Sequence, residues 1–157
     1  MTLAADILDR ARAQSIMIAT VESCTGGMVA AALTDIAGSS AVVERGFVTY
    51  SNAAKMQLVG VQAATLDAHG AVSEAVAAEM ASGALARAPV QLAVSITGIA
   101  GPGGSEFKPE GRVCFGLATP DDTHTKTVEF GALGRDAVRK AARDHALTLL
   151  HDALHDG

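Results

Sequence analysis

The sequence predicts an α/β protein: a three-layer α/β/α sandwich around a mixed sheet of about five strands. Three observations carry that expectation. Short apolar, β-branched runs alternate with alanine-rich helical stretches over the first two thirds of the chain, the order that builds parallel strands with crossover helices. Two consecutive strand patterns then follow, joined by Pro120-Asp121-Asp122, a hairpin signal that requires at least one antiparallel strand. Finally, 157 residues suit one domain of ordinary size, so residues 1–157 are read as a single domain.

Leu3, Ile7, Leu8 and Ala11 recur at helical spacing behind Thr2, with Asp6 in the first turn, and predict an amphipathic helix over 3–13. Residues 15–21 form a short apolar strand that stops at Glu22-Ser23-Cys24-Thr25-Gly26-Gly27, after which an alanine-rich helix runs over 28–36. Residues 41–50 predict a second strand, and Ser51-Asn52 caps a short helix through Leu58. Ser73-Glu74 opens a longer helix that ends near Ala88, before Pro89. A strand over 91–97 enters the stretch Gly98 to Gly111, too rich in glycine for regular structure. Strands over 112–119 and 123–130 follow, and a closing helix spans 136–154, with His151 and His155 expected in a frayed tail.

The chain is 49% hydrophobic, but 32 alanines inflate that figure and only five residues are aromatic, so elements are expected to pack closely through small side chains. Seventeen acidic against twelve basic residues leave a net charge of −5, which argues against an extended phosphate-neutralising surface and against nucleic acid as a partner. The first ten residues carry acids where a secretory leader carries positive charge, and no apolar run approaches the ~18 residues of a membrane span. A cytoplasmic protein with no membrane partner is expected. Cys24 and Cys114 are too few for a disulfide scaffold and lack any CxxC spacing, which argues against a structural zinc site.

In open α/β sheets, ligands gather beyond the carboxyl ends of the strands, and three such ends carry dense polar chemistry here. At Glu22 to Gly27, the Ser23 hydroxyl sits at a strand end beside amides of the next helix, donors that suit a phosphate or an oxyanion. The same residues also read as a helix cap with two packing glycines. Cys24 reads as a small buried residue rather than a nucleophile, because no histidine partners it. At Thr49 to Lys55, a lysine desolvated in a cleft can lose its proton near neutral pH and serve a serine as general base, while a solvated lysine does nothing of the kind. Tyr50, the one tyrosine, either orients that amine or is a half-buried ring. The glycine-rich loop lacks the spacing of a Walker or dinucleotide motif, yet its backbone can approach a planar or anionic ligand closely. Arg135, Arg139 and Lys140 either bind phosphate or form a solvated face.

Glu22-Ser-Cys-Thr-Gly-Gly27, Gly46-Phe-Val-Thr-Tyr-Ser-Asn-Ala-Ala-Lys55, Gly70-Ala-Val-Ser-Glu74 and Thr97-Gly-Ile-Ala-Gly-Pro-Gly-Gly104 with Lys108-Pro109 occur in this order. Over nearly the whole chain they resemble the C-terminal domain family of the competence/damage-inducible protein CinA. Stand-alone members of that family are nicotinamide-nucleotide amidases, which hydrolyse nicotinamide mononucleotide to nicotinate mononucleotide and ammonia. The resemblance implies Ser23 as the acyl-forming nucleophile, Lys55 as its general base, and Tyr50 in support. It implies a substrate pocket lined by Thr97 and the loop glycines Gly98, Gly101, Gly103 and Gly104. Arg139, with Arg135 in reserve, is implied as the phosphate ligand. In one departure from the family pattern, Glu110 follows Pro109 where members commonly carry valine, setting a carboxylate near the expected phosphate site.

The residues agree with that chemistry. Amide hydrolysis needs a nucleophile, a proton acceptor that later protonates ammonia, and donors for the tetrahedral oxyanion, parts that Ser23, neutral Lys55 and the amides of Cys24, Thr25, Gly26 and Gly27 can fill. Glu22 is the expected acidic neighbour of the pyridinium ring. No metal or redox cofactor is called for, and the expected partner is a small nucleotide substrate. A homo-oligomer is expected from the family resemblance and from the alanine-rich helices. The competing readings are a module that binds a pyridine nucleotide without turning it over, an amidase for another small amide, and a docking domain for a protein partner.

Overall fold

A computed structural model describes residues 2–155. Its sheet comprises β1 (Ile18–Glu22), β2 (Val43–Val48), β3 (Leu92–Gly98), β4 (Arg112–Ala118) and β5 (Thr123–Glu129), in the order β2-β1-β3-β4-β5. β1 pairs in parallel with β2 and β3, whereas β4 is antiparallel to both β3 and β5. The mixed α/β/α sandwich expected from the sequence is therefore the fold observed.

On one face lie α1 (Leu3–Ala13), α2 (Met28–Thr34) and α6 (Arg135–His155); their apolar sides meet Ile18, Leu92, Val94, Ile96, Val113 and Phe115 of the sheet in the larger core. The other face is covered by α3 (Asn52–Val59), α4 (Ala63–His69) and α5 (Glu74–Arg87), with Val76, Met80 and Ala84 of α5 packed on Ala19, Val21 and Ala93. The scarcity of large side chains lets helix and sheet close up. Ser95 Oγ on β3 donates to the Ala77 carbonyl of α5 at 2.6 Å, and a methyl group on Gly116 of β4 would lie 2.4 Å from that same carbonyl oxygen.

Four details depart from the sequence reading. β1 begins at Ile18, because Ser15 turns the chain with φ +57° after α1. Residues 39–41 form a 3-10 turn, so the second strand starts at Val43. α4 was not expected; it has seven residues and no buried side chain, hence no apolar stripe to announce it. Lastly, α6 stays helical through His155, and His151 Nε2 meets the Asp6 carboxylate of α1, so this segment is tied down rather than frayed. Among the described residues, no helix is long and apolar enough to cross a membrane.

Because β2, β1 and β3 run parallel, the segments that follow them leave the same edge of the sheet. The turn after β1, residues 49–51 after β2, and the loop from Ile99 to Gly111 after β3 converge there.

Candidate active site

At the end of β1, the Ser23 amide donates to the Ile96 carbonyl at 2.9 Å, extending the strand ladder one residue beyond Glu22. The chain then turns sharply: the Gly26 amide donates to the Ser23 carbonyl at 3.0 Å, and Gly26 and Gly27 take φ of +59° and +112° before α2 begins. Only glycine adopts that pair of conformations without strain. The turn holds Ser23 just beneath the surface at 8% exposure.

Lys55 arrives from α3, whose first turn is capped by the Ser51 hydroxyl accepting from the Ala54 amide at 3.0 Å. Its side chain is 1% exposed. The Nζ atom donates to the Thr49 carbonyl at 2.9 Å and to the Tyr50 carbonyl at 3.3 Å, and stands 3.1 Å from Ser23 Oγ. Burial pushes the Lys55 amine below its usual 10.5. A neutral amine has two N–H donors and one lone pair. Nζ donates to Ser23 Oγ as well as to the two carbonyls, and the Ser23 hydroxyl in turn donates to the Tyr50 carbonyl at 3.5 Å; in the neutral form, with the carbonyls keeping its two N–H groups, the amine has its lone pair to turn toward that hydroxyl.

Ser23 and Lys55 open onto a cleft of about 360 Å³, within the size range of small-ligand sites, which Cys24, Thr97, Gly98, Gly101, Gly103 and Gly104 also line. Thr97 is fixed there by donating its hydroxyl to the Ala71 carbonyl at 2.9 Å. The Gly101–Pro102 peptide within this loop is cis. Glu110 braces the loop, its carboxylate accepting from the Gly103 amide at 2.7 Å and the Gly134 amide at 2.9 Å. The Glu110 carboxylate thus joins the glycine loop to the approach of α6.

Several expected contacts fall elsewhere. Glu22 is buried, and its carboxylate accepts from the Val29 and Ala30 amides at 2.9 and 3.0 Å, so it closes the N-terminus of α2 and does not line the cleft. Thr25, Gly26 and Gly27 also do not line the cleft; the buried Thr25 hydroxyl has no hydrogen-bond partner among the described residues. The two arginines face different surroundings. Arg139 is turned inward, donating to the Cys24 and Thr25 carbonyls at 3.0 and 3.3 Å, where it clamps the turn that carries Ser23. Arg135 is the one that lines the cleft, donating to the Gly101 carbonyl at 2.7 Å and the Tyr50 hydroxyl at 2.8 Å. Tyr50 reaches the Lys55 amine through its backbone carbonyl, while its ring is 61% exposed at the rim. Lys108 does not line the cleft; it donates to the His69 and Val72 carbonyls at 2.6 Å each.

Burial drives the Cys24 thiol up to about 11, which leaves it protonated and a poor nucleophile at neutral pH. Among the described residues, no three His, Cys, Asp or Glu side chains stand together as a metal-ligand set. Asn52, next to the Ser51 cap, and Glu106, inside the glycine-rich stretch, are among the lining residues that the sequence did not single out. Neither belongs to a spacing pattern, and a lone carboxylate in a polar loop gives no signal until the loop is folded.

Comparison with known proteins shows which family the fold and sequence match. The family model described as the CinA C-terminal domain matches residues 1–154. Nicotinamide-nucleotide amidohydrolase PncC of Escherichia coli (strain K12) is 53% identical over 151 residues, which cover 96% of this chain and 92% of that protein. The crystal structure of competence/damage-inducible protein CihA from Agrobacterium tumefaciens superposes with a TM-score of 0.93 at 46% identity, covering 98% of this chain and 93% of that one. That of competence damage-inducible protein A (ComA) from Klebsiella pneumoniae subsp. pneumoniae MGH 78578 gives 0.94 at 40% identity, covering 98% and 95%.

Proposed function

The chain belongs to the CinA C-terminal domain family, and we propose that it is a nicotinamide-nucleotide amidase using Ser23 and Lys55 over one catalytic domain. One observation carries the mechanism: a buried amine, held by two carbonyls, stands 3.1 Å from a serine oxygen at the floor of a ligand-sized cleft.

Neutral Lys55 takes the Ser23 proton as Oγ attacks the carboxamide carbon of nicotinamide mononucleotide. The amide of Cys24, in the turn immediately beyond the nucleophile, is the nearest backbone donor in sequence for the resulting oxyanion. The Lys55 ammonium returns its proton to the leaving nitrogen, ammonia departs, and an ester to Ser23 remains. Water then attacks the ester with Lys55 again as base, and release of nicotinate mononucleotide restores the Ser23 hydroxyl. Arg135, the cation on the cleft wall, is suited to the phosphate by its planar fork of donors. Arg139 acts through the backbone by holding the Ser23 turn.

The reading extends to a cytoplasmic homo-oligomer. Exposed Val48, Met56 and Leu58, beside the site on β2 and α3, support a subunit contact, which sedimentation of the pure protein tests.

The decisive measurement is ammonia release from nicotinamide mononucleotide, alongside Ser23→Ala. Turnover that the substitution abolishes supports the proposal. Tight binding without release makes the chain a sensor module, and turnover only of glutamine, asparagine or another amide changes the substrate.

A further inference from the structure

Glu106 is a carboxylate at the same cleft as Ser23 and Lys55, and it belongs to neither the nucleophile nor its base. Its position is built rather than incidental. The segment Ser105 to Lys108 closes as a small hairpin, with the Ser105 amide donating to the Lys108 carbonyl at 3.0 Å and the Lys108 amide to the Ser105 carbonyl at 2.8 Å. Glu106 and Phe107 form its tip at φ +52° and +64°, the left-handed conformation that side-chain-bearing residues rarely adopt. Lys108 staples the hairpin to the turn before α5 through the His69 and Val72 carbonyls. The Ala71 amide donates to Glu106 Oε2 at 3.3 Å, and a methyl group on Gly70 would lie 2.5 Å from that oxygen, so the carboxylate rests directly on this turn.

Charge is therefore distributed unevenly in the cleft: Arg135 supplies a cation from α6, and Glu106 supplies an anion from the hairpin. Lys108, which stands near Glu106 at Gly70, directs its ammonium at two backbone carbonyls. Resting on the amidase reading above, the geometry points to Glu106 as the residue that selects substrates whose carboxamide is carried on a positively charged, N-substituted pyridine ring. A neutral ring of the same shape forfeits that attraction, as do neutral amides such as glutamine side chains. A ligand with an anionic phosphate and a cationic ring matches the two charges of the site at once.

The same carboxylate acts on Lys55. Its negative charge favours the protonated amine. A cationic ring seated against Glu106 offsets that influence, so the substrate that the carboxylate selects also favours the base form of Lys55.

The test separates ring charge from everything else. Dissociation constants are measured by calorimetry on the full chain carrying S23A, with and without E106Q, for nicotinamide mononucleotide and for its dihydropyridine form, whose ring is neutral. E106Q is expected to weaken the cationic ligand about five- to tenfold, the scale of a partly solvated charge pair, and the neutral one less than about twofold. E106D, which keeps the charge, recovers most of the loss. Equal weakening of both ligands marks a structural role and overturns the inference, as does no change for either. Should the unmodified chain release no ammonia while S23A protein keeps the charge preference, the amidase reading falls and the selection by Glu106 stands. Failure of S23A protein to bind either ligand overturns the inference about Glu106, while ammonia release by the unmodified chain decides the amidase reading separately.

Discussion

Gly83 of α5 lies so close to Val59 of α3 that a methyl group on its α-carbon would stand 1.8 Å from the Val59 carbonyl oxygen. Since Lys55 sits one turn before Val59 on that helix, the absence of a side chain at Gly83 helps to set the position of the amine. Gly83→Ala must push α3 outward, because the obstacle is backbone and not a flexible side chain. The expected cost is roughly 1–3 kcal/mol of stability, together with a loss of turnover that exceeds the loss of substrate binding. Chemical denaturation and ammonia-release kinetics check the two effects. Unchanged stability and unchanged kcat would show that the helices can separate without consequence for Lys55.

Lys55→Met and Ser23→Ala each remove one partner of the 3.1 Å contact. Both variants are expected to lose at least about a thousandfold in kcat, the scale of a lost general base or nucleophile, and to keep the circular dichroism spectrum of the unaltered chain. Lys55→Met also replaces a buried amine, whose desolvation disfavours its charged form, with an apolar chain of similar length, so its thermal midpoint at neutral pH is expected to equal or exceed that of the parent.

The pH dependence follows from the same burial. In the folded chain the Lys55 amine ionises below its usual 10.5. Between the two values the unfolded chain binds the extra proton, so this residue adds stability as pH rises through that window. Activity follows the neutral amine: kcat/KM is expected to climb with pH to an inflection below 10.5. An inflection at or above that value would contradict a desolvated base.

Arg135 and Arg139 differ by one helical turn and are expected to fail differently. Arg135→Ala, at the cleft wall, should raise KM about ten- to a hundredfold while leaving the thermal midpoint nearly unchanged. Arg139→Ala frees the Cys24 and Thr25 carbonyls and should lower the midpoint and kcat together. Steady-state kinetics with nicotinamide mononucleotide, paired with thermal melts, distinguish the two patterns; an exchange of them would restore Arg139 as the phosphate ligand.

Glu22 caps α2 from inside the protein. Glu22→Ala leaves the Val29 and Ala30 amides without their acceptor and is expected to cost about 1–3 kcal/mol, read by urea denaturation. Glu22→Gln keeps one acceptor oxygen and should lose less. If Glu22→Ala proved neutral for stability yet raised KM, the carboxylate would belong to substrate binding after all.

The order of strands and helices, the late antiparallel hairpin and the polar strand ends are written in local pattern: β-branched runs, alanine-rich helical spacing, caps at Thr2, Ser51 and Ser73. Local pattern also brings Ser23 and Lys55 forward, because each sits at a turn or cap whose residue types are distinctive. What it leaves undecided is direction. Glu22 and Ser23 are adjacent in sequence, but the alternation of a strand end and the entry of α2 send one carboxylate to the helix amides and the neighbouring hydroxyl to the cleft. Arg135 and Arg139 share one helix, and only its packing against α2 and β3 turns one inward and leaves the other at the mouth. Glu106 carries no pattern at all until the hairpin folds onto Gly70 to Val72, 36 residues away from Lys108 at the Val72 carbonyl. Sequence alone determined the sheet strands, the helices other than α4, and which chemical groups are available. Tertiary structure decided which groups meet, because a side chain's partner depends on contacts between segments distant along the chain, and the burial that lowers the Lys55 pKa exists only once those segments have closed around it.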